Sequence, residues 1–184
     1  MSIIKTNARS ASALDATVLT GNLPAISGAS LTGISAGISE VDRWKLSDGN
    51  YGNNDVLTAW TRHSTLSGVA HGTGLSHSSG IFTFPSTGVY FISFDANLFS
   101  GGGTTRAYVG INMKGSKEGF SSNAQTLIIS YGNTSTGGDH DDFFISGIYD
   151  VTNTSNNKLQ FVVASSGSCG FYNGAITIMK LMDT

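Results

Sequence analysis

The sequence predicts an all-β protein: a jelly-roll β-sandwich behind an extended N-terminal stem or anchor. Three observations predict it. The composition is rich in glycine (24 of 184 residues) and poor in charge (12%). Such a chain disfavours helices and favours strands joined by many turns. From Val41 onward, short apolar runs recur at roughly 8–12-residue spacing between clusters of small polar residues, as in sandwiches and jelly rolls. Before that point, residues 1–40 contain no aromatic side chain, and their only charges are Lys5, Arg9, Asp15 and Glu40. This first stretch cannot build a core of its own.

The elements follow in order. In residues 1–40, single aliphatics (Leu14, Val18, Leu19, Leu23, Ile26, Leu31, Ile34, Ile38) are separated by small polar residues and glycines, and Leu19-Thr20-Gly21 returns as Leu31-Thr32-Gly33. Gly and Pro punctuation after Thr20 excludes a long helix. The readings are a flexible tail or a thin stem in which several copies wind together and bury these aliphatics between chains. Residues 41–184 form the globular domain. Residues 56–60 read as a short strand. Residues 80–84 read as a second strand, closed by the turn Pro85-Ser86-Thr87-Gly88. Residues 89–98 are a long strand rich in aromatic and β-branched side chains. After the loop Gly101-Gly102-Gly103, residues 106–113 alternate, with Ala107, Val109, Ile111 and Met113 on one face and Tyr108, Gly110 and Asn112 on the other. Residues 126–131, 143–149, 159–164 and 174–181 complete eight to ten strands.

Composition and motifs exclude several function classes. A net charge of −2 leaves nothing to neutralise phosphates, so a nucleic-acid binder is not expected. One cysteine, Cys169, cannot close an intramolecular disulfide. The first residues lack the apolar core of a signal peptide. No window approaches the ~18 apolar residues of a membrane helix. A soluble chain made in a cytoplasm is the expectation. No phosphate loop or His-Glu-x-x-His pattern occurs, so neither an enzyme nor a cofactor is expected.

The candidate contact residues lie in loops. His71 and His77 flank residues 72–76, read as an exposed loop. Gly102 marks a second loop. Gly137-Gly138-Asp139-His140-Asp141-Asp142 is the one dense charge cluster. It reads as a solvated loop. Asp139, Asp141 and Asp142 are weak candidates for a calcium ion, because closely spaced carboxylates are what that ion takes. They lack the Asp-x-Asp-x-Asp-Gly register of a calcium loop. His71, His77, Gly102 and His140 are the candidate receptor contacts.

Gly80-Ile81-Phe82-Thr83-Phe84-Pro85-Ser86-Thr87-Gly88-Val89-Tyr90 resembles the central signature of the complement component 1q-like globular domain: Gly, x, Phe, Thr, x, Pro, x, x, Gly, x, Tyr, then an apolar strand. Gly147-Ile148-Tyr149-Asp150-Val151 with Leu159-Gln160-Phe161, and Phe171-Tyr172-Asn173-Gly174 onward, resemble its later strands. The upstream Phe-x-x-Val-x-x-Asn stretch is only loosely echoed by Asp55-Val56-Leu57-Thr58, and no collagen-like stalk precedes the domain. The resemblance covers roughly residues 41–184. It implies a ten-stranded jelly roll of tumour-necrosis-factor type, packed as a homotrimer, that binds rather than catalyses. The family's calcium-binding residues have no matching positions here.

Residues 16–33 resemble the low-complexity stems of tailed-bacteriophage fibre proteins. Together the two resemblances imply a virion structural protein. Residues 1–40 would be a virion-anchoring segment and stem, with Ile3, Ile4, Lys5 and Arg9 as candidate anchors to other virion proteins. Residues 41–184 would be a trimeric knob that binds a host-surface glycan or protein. The alternatives are a capsid decoration or cement protein of the same fold, and a secreted lectin-like module.

Overall fold

A computed structural model describes residues 37–63, 70–99, 107–121, 125–132 and 140–184. The stem and the anchor candidates Ile3, Ile4, Lys5 and Arg9 lie outside the described residues, as do Gly102 and Asp139.

The described residues form twelve strands and no helix. These are β1 (Val41–Leu46), β2 (Gly49–Tyr51), β3 (Trp60–Arg62), β4 (Ala70–His71), β5 (Ser76–Ser78), β6 (Ile81–Thr83), β7 (Gly88–Phe99), β8 (Val109–Ser116), β9 (Gln125–Gly132), β10 (His140–Val151), β11 (Lys158–Ser165) and β12 (Cys169–Met182). They build two antiparallel sheets. The seven-stranded sheet runs β10-β7-β12-β1-β3, with β2 on β12 and β4 on β1. The five-stranded sheet runs β5-β6-β11-β8-β9. The chain passes between the sheets at β4-β5, β6-β7, β7-β8, β9-β10, β10-β11 and β11-β12, so it crosses the sandwich repeatedly, as a jelly roll requires.

The strands expected from sequence are present with shifted ends. The strand expected at 56–60 is the main departure. Val56 makes a single bridge to Val162, and Leu57 donates its backbone N–H to Phe161 O. The regular strand begins only at Trp60. The stretch read as the loop 137–142 is also a departure at its far end. His140, Asp141 and Asp142 already pair with Phe99, Leu98 and Asn97 of β7. Between His71 and His77, β4 and β5 frame a short connection rather than a free loop.

Alternation drives one set of side chains inward from each sheet. Tyr90, Ile92, Phe94 and Leu98 of β7 meet Ile111, Met113, Leu159, Phe161 and Val163 across the sandwich, all buried. Phe82 is the hub. Its ring lies 4.7 Å from His77, 5.4 Å from Trp44, 5.6 Å from Trp60 and 6.2 Å from Phe161, mostly edge-on. The Gly-Ile-Phe-Thr-Phe-Pro signature thus has a physical reading. Gly80 has φ +83, and a Cβ there would sit 2.5 Å from Val56 Cγ1. Tyr90 donates its hydroxyl to Ser86 O at 2.9 Å and locks the turn before β7.

Candidate functional site

The outward face of the seven-stranded sheet is ordered in rows by strand register. Ile148 of β10 pairs with Phe91 of β7, Phe91 with Met179 of β12, and Met179 with Val41 of β1. These four form a continuous apolar row across four strands. All four side chains alternate away from the core, and Ile148 is 56% exposed. His71 pairs with Val41 and ends the row.

Two residues along each strand comes a polar row: Ser146, Ser93, Thr177 and Arg43. Arg43 donates to Thr177 Oγ1 at 3.0 Å and lies 3.7 Å from Asp95. The next row holds Phe144, Asp95, Ala175 and Lys45. Burial pushes the Asp95 carboxyl above its ordinary range, and the Arg43 guanidinium offsets part of that rise. Beyond it Asn173 Nδ2 donates to Asn97 Oδ1 (3.2 Å), and Asn97 Nδ2 donates to Asp142 Oδ1 (2.6 Å). A cavity of about 320 Å³ opens among Asp95, Asn97, Asp142, Phe144 and Asn173. A second, of about 220 Å³, is lined by Arg43, Lys45, His63, Asn173 and Ala175.

A separate network fixes the strands beside this face. Asp42 points inward and is 1% exposed. Its Oδ2 accepts from Trp44 Nε1 (3.0 Å), Arg62 Nη2 (3.0 Å) and Leu75 N (2.8 Å). Arg62 stacks on the Trp44 ring at 4.8 Å and also donates to Leu75 O. Glu40 receives the backbone N–H groups of Thr73 and Gly74. Together these carboxylates tie residues 73–75 to the entry strand.

Of the candidate contacts, His71 is exposed on β4. His77 joins the aromatic hub: its Nε2 accepts the Gly80 N–H at 3.0 Å, so this nitrogen carries no proton. Burial lowers the His77 pKa. The unfolded chain therefore binds the proton more readily, and stability is complete above an unfolded histidine's ~6.5 and falls as pH drops below it. The melting temperature is expected to fall between pH 7.5 and pH 5, with a smaller fall in His77→Gln. An equal fall in both proteins would assign the effect elsewhere. Asp141 and Asp142 are exposed at the start of β10. Among the described residues no group of three metal-ligating side chains converges.

Sequence reasoning missed the apolar row and the amide-carboxylate cavity. A signal for the row existed. Val89-Tyr90-Phe91-Ile92 is continuously apolar instead of alternating, and a strand apolar on both faces asks for cover on both.

This geometry defines a class: the chain has a jelly-roll fold of tumour-necrosis-factor type. The structure of the Eiger tumour necrosis factor of S. frugiperda matches with a TM-score of 0.61 at 9% identity, covering 80% of this chain and 95% of that one. Murine APRIL at pH 5.0 matches with a TM-score of 0.56 at 14% identity, over 77% and 98%. No protein-family model and no curated protein matches the chain. At these identities the likeness is one of fold, and it is the fold that the complement 1q-like signature implies.

Proposed function

We propose that the chain is a virion structural protein of a tailed bacteriophage, a homotrimeric fibre whose globular domain binds the host surface. One observation carries the trimer: the apolar row Ile148, Phe91, Met179, Val41 on an outward sheet face. An apolar stripe crossing four strands is costly to leave in water and marks an interaction surface. Further copies of this chain are the occupant, because the fold is that of tumour-necrosis-factor-type domains and the stem sequence suits several chains wound together. The host-binding role rests on avidity, since three weak sites on one rigid body bind far better than one. The virion location rests on the resemblance of residues 16–33 to phage fibre stems.

Light scattering of the full chain at micromolar concentration is the test. A mass near three chains is expected. Phe91→Glu, which places a charge in the row, should give folded single chains with an unchanged far-ultraviolet spectrum. On whole bacterial cells the labelled trimer should bind at least about tenfold better than this variant, the loss expected when avidity is removed. A wild-type mass of one chain would sink the reading.

A further inference from the structure

We infer that the cavity among Asp95, Asn97, Asp142, Phe144 and Asn173 is a binding site for a neutral sugar ring. The inference deepens the host-binding reading above and rests on it for biological purpose.

The site lies four residues along β7 from the apolar row, roughly 13 Å at the rise of an antiparallel strand. The two ends of this sheet face differ in what they can bury. The row of Ile148, Phe91 and Met179 gains by leaving water. The far end carries Asp142, Asp95, Arg43 and Lys45, with one ion pair between them at 3.7 Å. Drying Lys45 and Asp142 without an opposite charge beside either is strongly unfavourable. That end therefore stays wet when copies associate through the apolar row, and its cavity stays open.

The lining suits a polyhydroxylated ligand. The chain Asn173 to Asn97 to Asp142 fixes the amides by hydrogen bonds at 3.2 and 2.6 Å, so their orientation is set before any ligand arrives. Asp142 uses Oδ1 in this chain, leaving Oδ2 as an acceptor for a hydroxyl. Asp95 supplies a second carboxylate at the cavity wall. Asn173 is held by its own backbone, whose N–H donates to Asp48 Oδ1 at 2.8 Å, and by a left-handed φ of 53°. It stands where β12 shifts register against β7, between Tyr172 and Ala175. A bulge of this kind re-aims a side chain at the cost of ladder pairing.

Phe144 completes the set. The residue is 63% exposed yet lines the cavity beside two carboxylates. A sugar ring answers both features, offering an apolar C–H face to the aromatic ring and hydroxyl donors to the carboxylates and amides. The carboxylates select against acidic sugars. Arg43 offsets only one of them, so a uronic or sialic acid would meet net repulsion from Asp142.

Saturation-transfer NMR on the full chain tests this, with the methyl glycosides of glucose, galactose, mannose and N-acetylglucosamine and with glucuronic acid as the acidic control. Transfer is expected to at least one neutral glycoside and not to glucuronic acid. Asp142→Asn and Phe144→Ala should each weaken binding by about tenfold, the effect of losing one good contact. Both positions are exposed, and Asp142→Asn preserves shape should Phe144→Ala disturb packing. Transfer to none of the neutral glycosides, or transfer untouched by both variants, overturns the inference. The mass of the same sample separates the two readings. Three chains without sugar transfer refutes only the sugar site, and one chain with transfer refutes only the trimer.

Discussion

Truncating Phe82 to alanine is expected to be the most damaging single change in the core, costing about 3–5 kcal/mol. The ring contacts Trp44 and Trp60 from one sheet and Phe161 and His77 from the other. Its loss leaves a cavity bounded by rigid aromatic rings, which collapse poorly into empty space. The His77 ring, 4.7 Å away, would lose the surface on which it rests. Denaturant unfolding would show a lower midpoint with an unchanged slope. Phe82→Leu should recover part of the loss by refilling the volume. A cost below about 1 kcal/mol, in the range of a surface change, would mean that the hub does not hold the sheets together.

Removing the Asp42 carboxylate is expected to cost about as much, some 3–5 kcal/mol, through a different cause. Asp42→Ala strips three donors of their shared acceptor at once: the Trp44 indole, the Arg62 guanidinium and the Leu75 amide. The Arg62 guanidinium is 39% exposed and keeps water, so the cost falls mainly on the buried Trp44 and Leu75 N–H groups, each left without its acceptor. Asp42→Asn should be milder, because its amide oxygen still accepts from these donors. Thermal melts of both variants give the comparison, and a milder effect in Asp42→Ala than in Asp42→Asn would contradict the assignment. The damage should be concentrated at residues 73–75, where faster amide exchange would appear first.

Much of the sandwich was readable because its long strands alternate cleanly. Val109, Ile111 and Met113 face inward as their spacing predicts, with Asn112 on the other face. The entry strand was harder. In Val41-Asp42-Arg43-Trp44-Lys45-Leu46 an aspartate occupies an inward position, so the alternation is broken in hydropathy though intact in geometry. The donors brought by Arg62 and Leu75, 20 and 33 residues away, join the Trp44 indole in making that burial tolerable. The acidic stretch at 140–142 misled for the converse reason. Three polar residues look like a loop, yet they extend β10 because β7 supplies partners as far as Phe99. The sugar-site residues come from β7, β10 and β12, and no local spacing announces a cavity assembled from three strands. The outward row was written in the sequence only as apolar residues at positions where solvent-facing strands carry polar ones.

The position of β12 has a consequence for how the protein is made. This strand lies between β7 and β1, in the middle of the seven-stranded sheet, and pairs Met179 with Val41 across most of the domain. It is also the strand that leaves the ribosome after all the others. Until it arrives, β7 and β1 have no common neighbour and Ile176 and Ile178 are missing from the core. The domain therefore folds only once β12 has been made. With so many distant pairings, that step belongs to the millisecond-to-second range of β-sandwiches rather than the microseconds of helical bundles. A chain broken off before residue 169 exposes two bare strand edges and lacks Cys169, Phe171, Ile176 and Ile178 from its core. Such a fragment would aggregate through those edges.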